Sequence, residues 1–118
     1  MANYIDGFVH PIPSNRIDEY KRLSHAVAEI WKEYGALDYK EYVGDDMKLE
    51  GTRSFPDLLE ATREELIVFG WVEFDSRESR DLANKKVAGD PRMAELIEAI
   101  NTGFDAKRMA YGGFQSLD

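Results

Sequence analysis

A chain of 118 residues with 23 acidic and 15 basic side chains carries a net charge of −8, which repels phosphate backbones and anionic membrane surfaces at long range. It contains no cysteine, which excludes disulfides, thiolate metal sites and a cysteine nucleophile together. Its length predicts one domain over residues 1–118.

No apolar run approaches the ~20 residues needed to span a bilayer. The start, Met1-Ala2-Asn3-Tyr4-Ile5-Asp6, has no basic segment followed by an apolar one, so no signal peptide is expected. A soluble cytoplasmic protein follows, with neither nucleic acid nor membrane as partner.

The first strand is predicted from Tyr4 to Ile12, ended by Pro11 and Pro13. Ser14 or Asn15 stands where a helix cap belongs. Ile17, Tyr20, Leu23, Val27, Ile30, Trp31 and Tyr34 then recur at three- and four-residue spacing, the apolar stripe of one long helix. Gly35 occupies the left-handed position after it. A second strand is predicted from Ala36 to Val43, broken by Gly44-Asp45-Asp46, and a short helical turn from Pro56 to Glu60. Leu66 to Phe74 is almost wholly apolar and aromatic, the pattern of a central strand. Asp75 or Ser76 caps a second long helix reaching Val87. Asp90 and Pro91 open a further segment whose apolar face is Met93, Leu96, Ile97 and Ile100. The last strand is read from Lys107 to Ser116. The order βαββαβ predicts an α+β, ferredoxin-like domain: one four-stranded antiparallel sheet with its helices on one face. Strands one and three are expected at the centre, and the terminal strands are expected not to meet.

Period-two alternation sorts each strand into two faces. On the first strand, Ile5, Gly7 and Val9 are assigned to the helix side, and Tyr4, Asp6, Phe8 and His10 to the other. On the third, Val68, Gly70 and Val72 face Ile67, Phe69, Trp71 and Glu73 in the same way. The second face then carries Phe8, Phe69 and Trp71, joined by Met109 and Tyr111. An apolar face of that extent is rarely left to water. A second copy packed sheet to sheet covers it most simply, so a homodimer is expected.

Several runs are familiar together: Tyr4-Ile5-Asp6-Gly7-Phe8-Val9, Gly44-Asp45-Asp46, the pattern Ser76, Arg80, Asp81, then Asp90-Pro91-Arg92-Met93 and Lys107-Arg108-Met109-Ala110-Tyr111-Gly112-Gly113-Phe114. Over essentially the whole chain they resemble the YbaA-like family of small bacterial proteins. The resemblance implies a dimeric α/β-barrel assembly in which ferredoxin-like subunits pair through their sheets. That family has no known function, so the resemblance implies no catalytic residue. The stretch Ala94 to Thr102 departs from it, being more helical and apolar than the shorter, proline-containing segment of such relatives.

The polar groups assigned to the inner face are Asp6, His10, Glu73 and Tyr111. A carboxylate held among Phe8, Phe69 and Trp71 has its pKa raised by desolvation, which suits proton transfer. A histidine with two carboxylates also supplies donors for a divalent metal, but their spacing matches no metal signature, and neither metal nor cofactor is expected. The plain structural reading takes precedence: Asp6 pairs across the sheet with Lys107 or Arg108, and His10 lies at an exposed strand end. His25, opposite the helical stripe, is expected to be solvated, and Trp31 and Tyr34 to belong to the core. Two function classes stay open. One is a small-molecule binding protein or cofactor-independent enzyme, with its pocket between helices and sheet or inside the dimer. The other is a non-catalytic dimeric regulatory or stress-related partner that acts through its surface.

Overall fold

The computed structural model describes residues 3–118. Met1 and Ala2, which begin the segment where no signal peptide is expected, lie outside them. The elements are β1 Tyr4–Pro13, α1 Ile17–Glu33, β2 Asp38–Val43, α2 Phe55–Leu59, β3 Glu65–Phe74, α3 Arg77–Ala88, α4 Pro91–Ala99 and β4 Ala110–Gln115. The strands form one antiparallel sheet in the order β2-β3-β1-β4. Strands β1 and β3 are central, as the element order predicts. The terminal strands do meet, however: β4 pairs with β1, with Phe8 opposite Tyr111. After α3 and α4 the chain returns to the one edge of β1 that β3 leaves free. That pairing ends at Val9 and Ala110, so Pro11 continues β1 where it has become an edge on that side, a place where proline is tolerated.

Local chemistry sets most element ends. The stripe on α1 buries Tyr20, Leu23, Val27 and Ile30. Neither Ser14 nor Asn15 caps it, because residues Ser14–Arg16 form a separate 3-10 turn. Ser54 caps α2 by accepting from the Asp57 N–H, and Ser76 caps α3 by accepting from the Ser79 N–H. Asp90 caps α4 by accepting from the Arg92 N–H. The same carboxylate accepts from the Tyr34 hydroxyl at 2.7 Å, and Arg92 reaches Glu33 at 2.8 Å. The short helix α4 is thereby fastened to the end of α1.

Helices α1, α3 and α4 cover one face of the sheet. Strand β3 distributes its side chains as expected, with Val68, Val72 and Phe74 buried under the helices. Strand β1 is turned the other way. Register places Asp6 opposite Val72, Phe8 opposite Gly70 and His10 opposite Val68, so Asp6, Phe8 and His10 lie on the helix side. The reason is steric. The Phe8 ring occupies the space over Gly70, where an added Cβ would run into that ring and stand 2.9 Å from the Lys40 carbonyl oxygen. An aromatic ring laid across a glycine of the neighbouring strand fills the gap and fixes the register.

The opposite face carries Trp71 with Tyr42 stacked on it at 5.4 Å between centroids, and Phe69 against Phe55 of α2 at 5.9 Å. Phe69, Tyr42 and Phe114 there are 42%, 55% and 57% exposed. Phe8, Met109 and Tyr111, expected on this face, lie on the helix side instead. Among the described residues no helix is long and apolar enough to cross a membrane.

Replacing Gly70 with alanine is expected to destabilise the fold by about 1–3 kcal/mol, the usual range for overpacking. Denaturant unfolding measures it, and Phe8→Leu in the same chain is expected to recover part of the loss. An unchanged midpoint in Gly70→Ala would contradict the packing of Phe8 over this glycine.

Candidate functional site

Between the sheet and the helices lies a cavity of about 340 Å³. Asp6, Phe8 and His10 of β1 and Val72 of β3 line it from the sheet, and Leu23, Val27 and Trp31 of α1 from the opposite wall. Met93 and Ile97 of α4, with Phe104 and Met109 from the following segment, complete it. That segment is held close to β1 by Gly103, whose φ is +74°, and an added Cβ there would stand 2.7 Å from the Pro13 Cγ. Only glycine satisfies both the left-handed backbone and the close approach. The result seats Phe104 against His10, with ring centroids 4.8 Å apart and the planes at 78°.

Two polar clusters sit in this largely apolar space. At one end, Glu41 of β2 accepts hydrogen bonds from the Tyr20 hydroxyl, the Ser24 hydroxyl at 2.6 Å and the Tyr39 hydroxyl at 2.8 Å. Burial, reinforced by the Glu41 charge, pushes the Tyr20 and Tyr39 hydroxyls well above the usual tyrosine pKa, so both stay protonated donors. The Tyr20 oxygen lies 2.9 Å from His10 Nε2. Tyr20 has one proton and gives it to Glu41, so Nε2 must carry the hydrogen that bonds the Tyr20 oxygen. In the neutral ring Nδ1 then keeps its lone pair, and it makes no hydrogen bond. Burial lowers the His10 pKa, against the opposing pull of the Pro11 carbonyl and the Glu41 charge. His10 is therefore a neutral, oriented imidazole whose Nδ1 has no hydrogen-bond partner. That nitrogen is sealed from solvent, so a ligand reaches it only when the side chains around it move.

At the other end, Arg80 of α3 donates to Asp6 at 2.6 Å and to the Tyr111 oxygen at 2.9 Å, while Tyr111 donates to Asp6 at 2.7 Å. Arg80 also binds Asp81 at 2.8 Å and lies over the Tyr4 ring, 4.9 Å from its centroid. Gly113 leaves the room this needs, since a Cβ there would stand 2.9 Å from the guanidinium. Burial, then the Asp6 carboxylate, pushes the Tyr111 hydroxyl up to about 12.

The four residues singled out in the sequence thus separate. Asp6 and Tyr111 touch, and His10 shares their cavity beyond Phe8. Glu73 lies on the opposite face, where it accepts from the Asn3 amide at 2.5 Å. The expected partner of Asp6 is corrected: Arg108 goes to Glu65 at 2.5 Å, and Arg80 takes Asp6. His10 is 1% exposed rather than at an open strand end, because β1 continues through Ile12 beneath α1. His25 is exposed, as its helical angle requires. Glu41, Tyr20, Tyr39 and Ser24 carry roles that the sequence reading did not assign. Tyr20 stood within the apolar stripe, and Tyr39 and Glu41 alternate along β2 so as to share a face. Among the described residues, no group of three histidine or carboxylate side chains is placed to hold a metal ion.

Residues 3–106 match the family described as "Protein of unknown function (DUF1428)". The chain belongs to this family. It is 40% identical over 114 residues to the uncharacterized protein YbaA of Escherichia coli K12, covering 97% of this chain and 96% of that one. The same figures hold for the YbaA of Shigella flexneri. Among solved structures it is similar to a NIPSNAP family protein with unknown function from Agrobacterium tumefaciens, with a TM-score of 0.59 at 12% identity over 97% of this chain and 87% of that one. That likeness concerns the fold alone and is consistent with a ferredoxin-like arrangement. No specific function comes with the family or these relatives.

Removing one partner of a buried ion pair strands the other charge. Arg80→Met is therefore expected to cost roughly 3 kcal/mol in denaturant unfolding, and Asp6→Asn added to it to recover part of that. A loss below about 1 kcal/mol, the range of an exposed pair, would contradict the burial. His10 gives a pH dependence of known sign. Its folded pKa lies below the ordinary 6.5, so the unfolded chain binds the proton first. Its share of stability is complete above 6.5 and is lost as pH falls from there toward the folded value, by up to about 1.4 kcal/mol per pH unit. Comparing unfolding of wild type and His10→Gln between pH 7 and pH 5 measures it; identical pH profiles would count against a buried neutral imidazole.

Proposed function

We propose that the chain is a homodimer that binds a small, largely apolar molecule in the cavity between its sheet and helices. The observation that carries the reading is the cavity itself: about 340 Å³ with apolar walls and a polar cluster at each end, the usual make-up of a ligand site. His10 is the group in it equipped to accept a proton, with Tyr20 and Glu41 fixing its tautomer and standing ready to stabilise an imidazolium. The dimer is supported by the exposed aromatics Phe69, Tyr42 and Phe114 on the far face, since two such sheets facing one another remove both patches from water. In this arrangement the ligand site and the dimer surface lie on opposite sides of one sheet, with Asp6, His10 and Tyr111 in the first and Glu73 at the second.

The second reading is a non-catalytic dimer that acts through its surface and uses the cavity for nothing. Native mass spectrometry of the purified chain, set against its denatured mass, separates the two. The expected result is twice the chain mass plus a bound small molecule, the extra mass being lost in Val27→Phe, which narrows the cavity from α1. A bare dimer, unaffected by Val27→Phe, would favour the second reading. A monomer would contradict the sheet-to-sheet assembly.

A further inference from the structure

We infer that the ligand of this cavity is an organic cation: an ammonium group carried on an aromatic or similarly compact apolar body. The inference rests on the small-molecule reading above and names the class of molecule. Six aromatic residues line the cavity, namely Phe8, Tyr20, Trp31, Tyr39, Phe104 and Tyr111. Aromatic rings offer negative faces to a cation, and a desolvated site strengthens that attraction.

Charge points the same way. Glu41 and Asp6 line the cavity, and among the described residues no lysine or arginine does. The Asp6 charge is answered by Arg80 from outside the cavity. Glu41 has only hydroxyl partners, from Tyr20, Tyr39 and Ser24, and no cation is paired with it among the described residues. Three hydroxyl hydrogens hold a carboxylate in place without cancelling its charge. With His10 neutral, the cavity carries one net negative charge near a polar nitrogen, Nδ1, that has no partner. A carboxylate or phosphate entering this space would meet Glu41 with nothing to answer its own charge. An ammonium group supplies both the missing counter-charge and hydrogen-bond donors.

The test compares three probes of similar shape and different charge: 2-phenylethylamine, 2-phenylethanol and 3-phenylpropionate. Each is titrated into the full chain while the two tryptophan indole N–H signals are followed by NMR. Trp31 lines the cavity, and Trp71 lies on the opposite face as an internal control. The amine is expected to shift Trp31 without Trp71 and to bind at least about tenfold more tightly than the propionate, with the alcohol between them. In Glu41→Gln the amine is expected to bind no better than the alcohol. If the propionate binds as well as the amine at Trp31, the cation inference falls while the cavity remains a ligand site. If none of the three shifts Trp31, the small-molecule reading falls with it.

Discussion

The placement of the Phe8 ring over Gly70 is the contact on which the rest of this molecule depends. Side chains alternate along a strand, so a single ring committed to one face commits every residue of β1. With Phe8 on the helix side, Asp6 and His10 follow it there, and Ile5 and Val9 face the other way. The glycine makes this possible, because no other residue leaves a ring's thickness between two adjacent strands under the helices. The same device recurs in mirror image on the far face, where the Phe114 ring stands over Gly7 and Gly112.

Once β1 is turned inward, its polar residues need partners in a low-dielectric setting, and the surrounding elements supply them. Arg80 rises from α3 to meet Asp6, and Tyr111 on β4 closes the triangle. His10 is met by Tyr20 from α1, which in turn leans on Glu41 of β2. An unpartnered buried charge is costly, yet only one of the two clusters contains its own cation. That asymmetry makes the Glu41 end the chemically expectant part of the cavity. The two clusters stand about 13 Å apart along β1, four residues at ~3.3 Å each, with the Phe8 ring between them.

The sequence made the architecture legible and the site only in part. Long-range periodicity identified α1 from Ile17 to Tyr34, and the unbroken apolar run identified β3, because both patterns repeat over many residues. Asp90 was readable as a cap, and the cap of α3 as either Asp75 or Ser76, since capping needs a particular side chain at a particular place. The faces of β1 were not readable. Ile5, Gly7 and Val9 look like the buried set, and Tyr4, Asp6, Phe8 and His10 look like the exposed one. A local polarity pattern cannot register a ring from one strand entering the space over a glycine on another. The same limit hid Arg80, which reads as an exposed helical arginine until Asp6 is known to face it. Glu41 was hidden for a related reason: its three hydroxyl partners come from α1 and β2, and no spacing along the chain brings them together.

The claim that joins these observations is that β1 presents His10, neutral and oriented, to the cavity beneath the helices. The chain has two histidines, and His25 is exposed on α1, so it serves as an internal reference in the same spectrum. Long-range nitrogen–proton NMR across a pH titration reads the tautomer and pKa of each ring. The account predicts a His10 ring that carries its hydrogen on Nε2 when neutral and titrates below about 6.5. A His10 ring that titrates like a solvated imidazole, with both tautomers present, would mean that β1 faces the other way and that the cavity described here is not the site.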